Sequence, residues 1–134
     1  MKLAPAVSAA FILVAFALAA QAPSAASMPP VVVSTVPQSG DLAVDPAIKE
    51  IRVTFSKEMM TNEMWSWVQV NEGTFPKVVA ISHYLQDKRT CVLPVKLDPG
   101  KSYIIWVNSE SHNSFRDLAN RPAVPYLLAF QTRQ

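Results

Sequence analysis

The chain has 134 residues, 50% hydrophobic and 16% charged, with 11 Pro, 3 Gly and a single Cys. That length carries one domain, and the balance excludes a disordered or collagen-like chain, while the prolines disfavour a helix-rich body. Net charge is +2 with both signs interspersed, which excludes the electrostatic footprint of a nucleic-acid-binding protein.

Met1 and Lys2 give a short basic start, Ala6 to Ala20 is apolar apart from Ser8, and Gln21 to Ser27 is small and polar. This order is that of a secretory leader. The apolar stretch falls short of the about 20 residues a spanning helix needs, and no stop-transfer cluster follows. Ala20-Gln21-Ala22 presents small residues at a cleavage spacing but sets Pro23 just past the cut, a poor geometry for hydrolysis. Ser24-Ala25-Ala26 avoids this, so residues 1–26 are expected to form the leader and residues 27–134 the mature domain, the cut being bracketed by residues 19 and 27. Export to the periplasm or the medium follows. The mature chain, about 108 residues long, is close to neutral once Lys2 is lost.

Val31 to Ser34 lies between Pro29-Pro30 and Pro37-Gln38-Ser39-Gly40 and reads as a short strand ending in a turn. In Ile48 to Phe55, Ile51, Val53 and Phe55 share one face while Arg52 and Thr54 take the other, the period of a half-buried strand. Lys57 to Glu63 is the place for a helical turn. Trp65 to Val70 alternates again, with Trp65 and Trp67 on one face. Lys77 to Leu85 and Thr90 to Val95 flank the polar hinge Gln86-Asp87-Lys88, suited to a hairpin. Lys101 to Asn108 and Tyr126 to Thr132 complete about seven strands at the spacing of an antiparallel two-sheet β-sandwich. Cys91, inside the apolar run CVLPV, is expected to be a buried inert thiol, and being alone it offers no intramolecular disulfide.

Leu97-Asp98-Pro99-Gly100-Lys101-Ser102-Tyr103 places a Pro-Gly turn just before a strand that opens with Tyr. In immunoglobulin and fibronectin sandwiches such a Tyr bonds its hydroxyl back to the preceding corner.

Pro37-Gln38-Ser39-Gly40, Val44 to Ile48 (VDPAI) and Ile51 to Met59 (IRVTFSKEM), with this corner and the closing Phe115-Arg116-Asp117, Asn120 to Ala123 (NRPA) and Phe130-Gln131-Thr132, resemble bacterial Ig-like domains of the S-layer-protein type. The likeness runs from about Pro30 to Arg133. It departs at Asn120, where such domains often carry Gly. The resemblance implies an all-β, immunoglobulin-like Greek-key sandwich acting as an exported structural or binding module, and it carries over no catalytic residue.

Isolated Gly40, Gly73 and Gly100 form neither a phosphate-cradling loop nor a dinucleotide fingerprint, and the nucleophile elbow is absent. His83 and His112 stand outside metalloprotease and zinc-knuckle spacings. Asp41, Asp45 and Asp117 sit in turn-like contexts that backbone capping explains. The chain is therefore expected not to be an enzyme and to use no cofactor or metal. An alternative is a small periplasmic copper-binding protein in which Met59, Met60 and Met64 join His83 or His112 as soft ligands. Against it stand the gap-filling habit of Met and the lack of a histidine near residues 20–30.

Binding of a protein or carbohydrate partner is the favoured expectation, with no nucleic acid and no membrane after leader removal, the domain being a monomer or weak oligomer. Its candidate residues are Trp65, Trp67, Tyr84 and His112. If the face shared by Trp65 and Trp67 is exposed, the pair is an amphipathic platform; if it is the inner face, they are core. His83, Asn108 and Asn113 are further loop residues beside it.

Overall fold

Alternation along the second strand organises the molecule, because buried Ile51, Val53 and Phe55 give it one wholly apolar face. The computed structural model describes residues 1–15 and 22–134. The expected leader therefore lies in part outside the described residues. Residues 1–15 carry no regular secondary structure, and among the described residues no helix is long and apolar enough to cross a membrane.

The strands are β1 (Val32–Val36), β2 (Glu50–Phe55), β3 (Trp67–Gln69), β4 (Lys77–Val78), β5 (His83–Tyr84), β6 (Thr90–Lys96), β7 (Ser102–Val107) and β8 (Tyr126–Gln131). One sheet is ordered β1-β2-β6, with β4 and β5 sharing the far edge of β6; the other is β3-β7-β8. Every strand pairing is antiparallel. The chain crosses between sheets after β2, after β3 and after β6, the Greek-key order of an immunoglobulin-like sandwich.

Two buried clusters fill the space between the sheets. Ile51, Leu93, Ile105, Leu128 and Phe130 anchor one, and Val53, Phe55, Met59, Val107 and Phe115 the other. Trp67 and Tyr126 pack against both. Each fully buried Ile, Leu or Phe contributes about 1.5–3 kcal/mol. The expected corner is formed: the Asp98 amide donates to Tyr103 Oη at 2.7 Å. Thr132 Oγ1 completes it by donating to Asp98 O at 2.6 Å and accepting from Lys101 N at 3.0 Å.

Three segments differ from expectation. Lys57 to Glu63 forms no helical turn; the only helical element among the described residues is the 3-10 turn Glu72–Thr74, capped by Asn71. Met59 is instead drawn into the core at 1% exposure, its amide donating to Lys88 O and that of Met60 to Arg116 O, each at 2.9 Å. Extended backbone bonded to neighbouring loops leaves nothing for a helical ladder. The strand expected from Trp65 to Val70 is confined to Trp67–Gln69; it starts no earlier than Trp67 because its partner β7 ends at Val107, where Asn108, with a φ of 60°, turns the chain away.

The single strand expected over Lys77 to Leu85 is split into β4 and β5. Lys77 and Val78 pair with Lys96 and Val95, whereas His83 and Tyr84 pair with Val92 and Cys91, a register that has slipped between them. Pro94 lies opposite the slip. Its carbonyl accepts from Val79 N at 3.1 Å, so the N–H it lacks belongs to that same edge, and the ladder is interrupted there.

Candidate functional site

Ala80, Ile81 and Ser82, left outside the ladder by that interruption, form one wall of an open groove between the two sheet edges. The groove holds roughly 960 Å³. The other wall is Trp65 to Gln69, around β3, the edge strand of the smaller sheet; Phe75, Val78, Leu93 and His112 complete the lining. A second hollow of roughly 570 Å³ adjoins it, sharing Trp65, Ile81 and Ser82 and adding His83, Tyr84 and Lys88.

Ser82 joins the walls. Trp67 Nε1 donates to Ser82 Oγ at 3.0 Å, and that hydroxyl donates onward to Val92 O at 2.8 Å. The Trp67 ring also meets Phe115 edge-on, with centroids 5.3 Å apart at 86°. Trp67 is thus both core and wall: half-buried against both apolar clusters while lining the groove. Trp65, just before β3, rests half-buried on the second cluster.

Tyr84 lies on the adjoining hollow and donates from Oη to Met64 O at 2.9 Å. Burial, and then the neighbouring Cys91 thiol, push its hydroxyl far above the ordinary tyrosine value. His112 is exposed at the groove, its Nδ1 3.1 Å from Ser111 Oγ. Of the four candidate residues, Trp65, Trp67 and His112 line the larger groove, and Trp65 and Tyr84 the smaller hollow.

Asn108 is not a loop residue beside the groove, as its polar character suggested. It is fully buried, donating from Nδ2 to Phe115 O at 2.9 Å and Ala123 O at 3.1 Å and accepting at Oδ1 from Phe115 N at 3.0 Å. Its amide satisfies backbone groups that would otherwise be buried without partners. Asn113 is likewise engaged, taking Arg116 Nη2 on Oδ1 at 2.7 Å.

Phe75, Ile81 and Ser82 belong to the groove but escaped sequence reasoning. Their segments lack the long alternation that marks a strand; only the isolated Ser82 after the apolar Val78 to Ile81 hinted at a buried polar contact.

None of the residues lining the larger groove is an Asp, Glu, Lys or Arg. Its rim is apolar and exposed, with Val78 at 44% and Ile81 at 79%. Cys91 lies behind Ser82, 3.3 Å from its hydroxyl; burial pushes the thiol up to about 12, opposed by its contacts with Ser82 and the Val92 backbone. His83, one register step from Cys91 on the paired strands, takes the opposite sheet face. Among the described residues no group of three or more His, Cys, Asp or Glu converges, and the Met59 thioether is packed inside the second apolar cluster.

The most polar interior group is Asp117, 1% exposed. Its Oδ2 accepts from Lys57 Nζ at 2.7 Å and Arg121 Nε at 3.2 Å, and its Oδ1 from the amides of Ala119 and Arg121 at 3.0 and 2.9 Å. Burial pushes this carboxyl up, but the Lys57 bond, the Arg121 amide and the two positive charges together hold it below the usual carboxylate value.

A three-on-five sandwich with a tyrosine corner and one edge groove defines an immunoglobulin-like module. The chain belongs to the bacterial Ig-like domain family, whose sequence model matches residues 26–132. No curated protein matches it. It is similar in fold to the S-layer protein rSbsC(31-844), with a TM-score of 0.50, 19% identity and coverage of 81% of this chain and 14% of that one. The structure of surface layer protein SbsC, domains 1-6, is similar at a TM-score of 0.50 and 18% identity, with the same coverage. The chain thus spans about a seventh of the length of these neighbours.

Proposed function

We propose that the protein is an exported, non-catalytic module of the bacterial cell envelope that binds a protein partner in the groove between β3 and the β4–β5 edge. The observation that carries this reading is an uncharged groove with Trp65 and Trp67 on one wall and Ile81, 79% exposed, on the other. Exposed apolar surface of this kind marks interaction sites, and Trp is the residue type most enriched at binding hot spots. Family membership and the fold shared with S-layer protein domains support the envelope setting. Export rests on the leader-like residues 1–26.

A carbohydrate would require side-chain donors and acceptors aimed at its hydroxyls. Two of the polar groups in the groove are already engaged: Trp67 Nε1 donates to Ser82 Oγ, and Ser66 Oγ accepts from the Ser114 amide at 2.8 Å. The wall favours apolar side chains of a protein instead. Affinity capture from envelope extract with the exported chain and with Ile81→Asp tests the reading. Ile81 is exposed enough for the substitution to leave the fold intact, so the expected result is a partner retained by the parent and lost by the variant. Equal capture by both, or saturable binding to envelope glycans with no protein partner, overturns it.

A further inference from the structure

The backbone just before β1 is caught by two cations. Residues 24–28 form a compact turn in which the amides of Ser27 and Met28 donate to Ser24 O at 3.0 and 3.1 Å, and the Ser24 amide donates to Ser27 Oγ at 2.9 Å. Lys57 Nζ donates to Ala26 O and Met28 O, both at 3.0 Å. Arg121 donates from Nη2 to Ala26 O at 2.8 Å and from Nη1 to Ser27 O. Both cations are held in turn by Asp117, whose side chain is 2% exposed. An ammonium has three protons to donate, and Lys57 directs them to Asp117, Ala26 and Met28. The turn is therefore fixed by the same buried carboxylate that joins the loop after β2 to the loop before β8.

We infer that residues 24–28 are part of the folded domain and that leader removal cuts upstream of Ser24, not after Ala26. The inference rests on the export reading above. Hydrolysis after Ala26 would give that residue, as a carboxylate, to the leader, with water supplying the oxygen and the proton of the new amine. Lys57 and Arg121 would both lose the carbonyl they share. Ser24, the acceptor for two amides, would leave with it. In their place a new α-ammonium on Ser27 would stand beside two cations with one carboxylate among them, a net repulsion. A cut between residues 19 and 23 leaves the turn intact and creates no ammonium within it. The frame Ala17-Leu18-Ala19 offers small residues for it without setting Pro23 just past the cut.

Intact-mass analysis of the protein secreted from its full-length gene tests this. The expected amino terminus lies between Ala20 and Pro23. A terminus at Ala25 or beyond overturns the inference while leaving export standing, whereas an uncleaved chain starting at Met1 overturns the export reading and the inference together. Amide hydrogen exchange on the same secreted protein adds a second measurement. The Ser27 and Met28 amides should be protected, and Arg121→Met should speed their exchange by about tenfold while β2 stays protected. Unprotected amides at both positions in the parent protein would overturn the assignment of the turn to the fold.

Discussion

The indole nitrogen of Trp67 donates to Ser82 Oγ at 3.0 Å, and this bond ties the edge of the smaller sheet to the edge of the larger. Trp67→Phe keeps the ring packed on Phe115 but removes the donor, leaving Ser82 its bond to Val92 O. The expected cost is about 1 kcal/mol. Trp67→Ala also opens space against both clusters and should cost about 3 kcal/mol or more. Urea denaturation of the two variants separates the bond from the packing.

Tyr103→Phe deletes the acceptor of the Asp98 amide and changes nothing else in the corner. A loss of about 1–2 kcal/mol is expected, read as a lower denaturation midpoint with unchanged slope.

Asn108 combines a positive φ with three bonds to buried backbone. Asn108→Gly preserves the backbone conformation and loses the bonds; Asn108→Ala loses both. Destabilisation of about 2–3 kcal/mol is expected for Gly, with Ala worse by about 1 kcal/mol from backbone strain. An Ala variant as stable as the Gly variant would mean the φ carries no cost.

Asp117 makes stability depend on pH. Its carboxyl is held below its ordinary value in the folded chain, so its contribution is complete above the unfolded value of about 3.9 and is lost as the pH falls through the folded one. Unfolding midpoints should therefore drop below about pH 4, and Asp117→Asn should flatten that drop. At neutral pH the same variant leaves Lys57 and Arg121 without their counter-charge, at a cost of about 3–5 kcal/mol.

Cys91 should be silent to alkylation until the chain unfolds. With its thiol pushed up to about 12, it presents on the order of 10³-fold less thiolate at pH 8 than a free cysteine. Iodoacetamide labelling should rise along the urea transition measured by tryptophan fluorescence. Rapid labelling of the native protein would contradict this burial.

What could be read from residues alone follows how local each signal is. Ile51-Val53-Phe55 announces β2 because period two over six residues has no other interpretation, and the tyrosine corner is legible because turn and Tyr lie seven residues apart at most. Trp65 and Trp67 both line the groove, yet alternation says only which residues of a strand share a face, not what covers it. The answer depended on Phe115 and Ser82, both distant in sequence. Asn108 looked like a polar loop residue because its carbonyl partners, Phe115 and Ala123, carry no mark of that role in their side chains. The same holds for Met59, whose burial depends on loops that close over it from two other parts of the chain.

By refusing one proton to its neighbour on the sheet edge, Pro94 keeps the sandwich ajar. Had the fourth strand zipped along β6 without interruption, residues 79–82 would lie flat in a continuous sheet. Released from pairing, Ala80 and Ile81 can vary in chemistry at small expense to the interior, while Ser82 stays tied to Trp67 and Val92. The scaffold thus tolerates new side chains along this span without a change to its core.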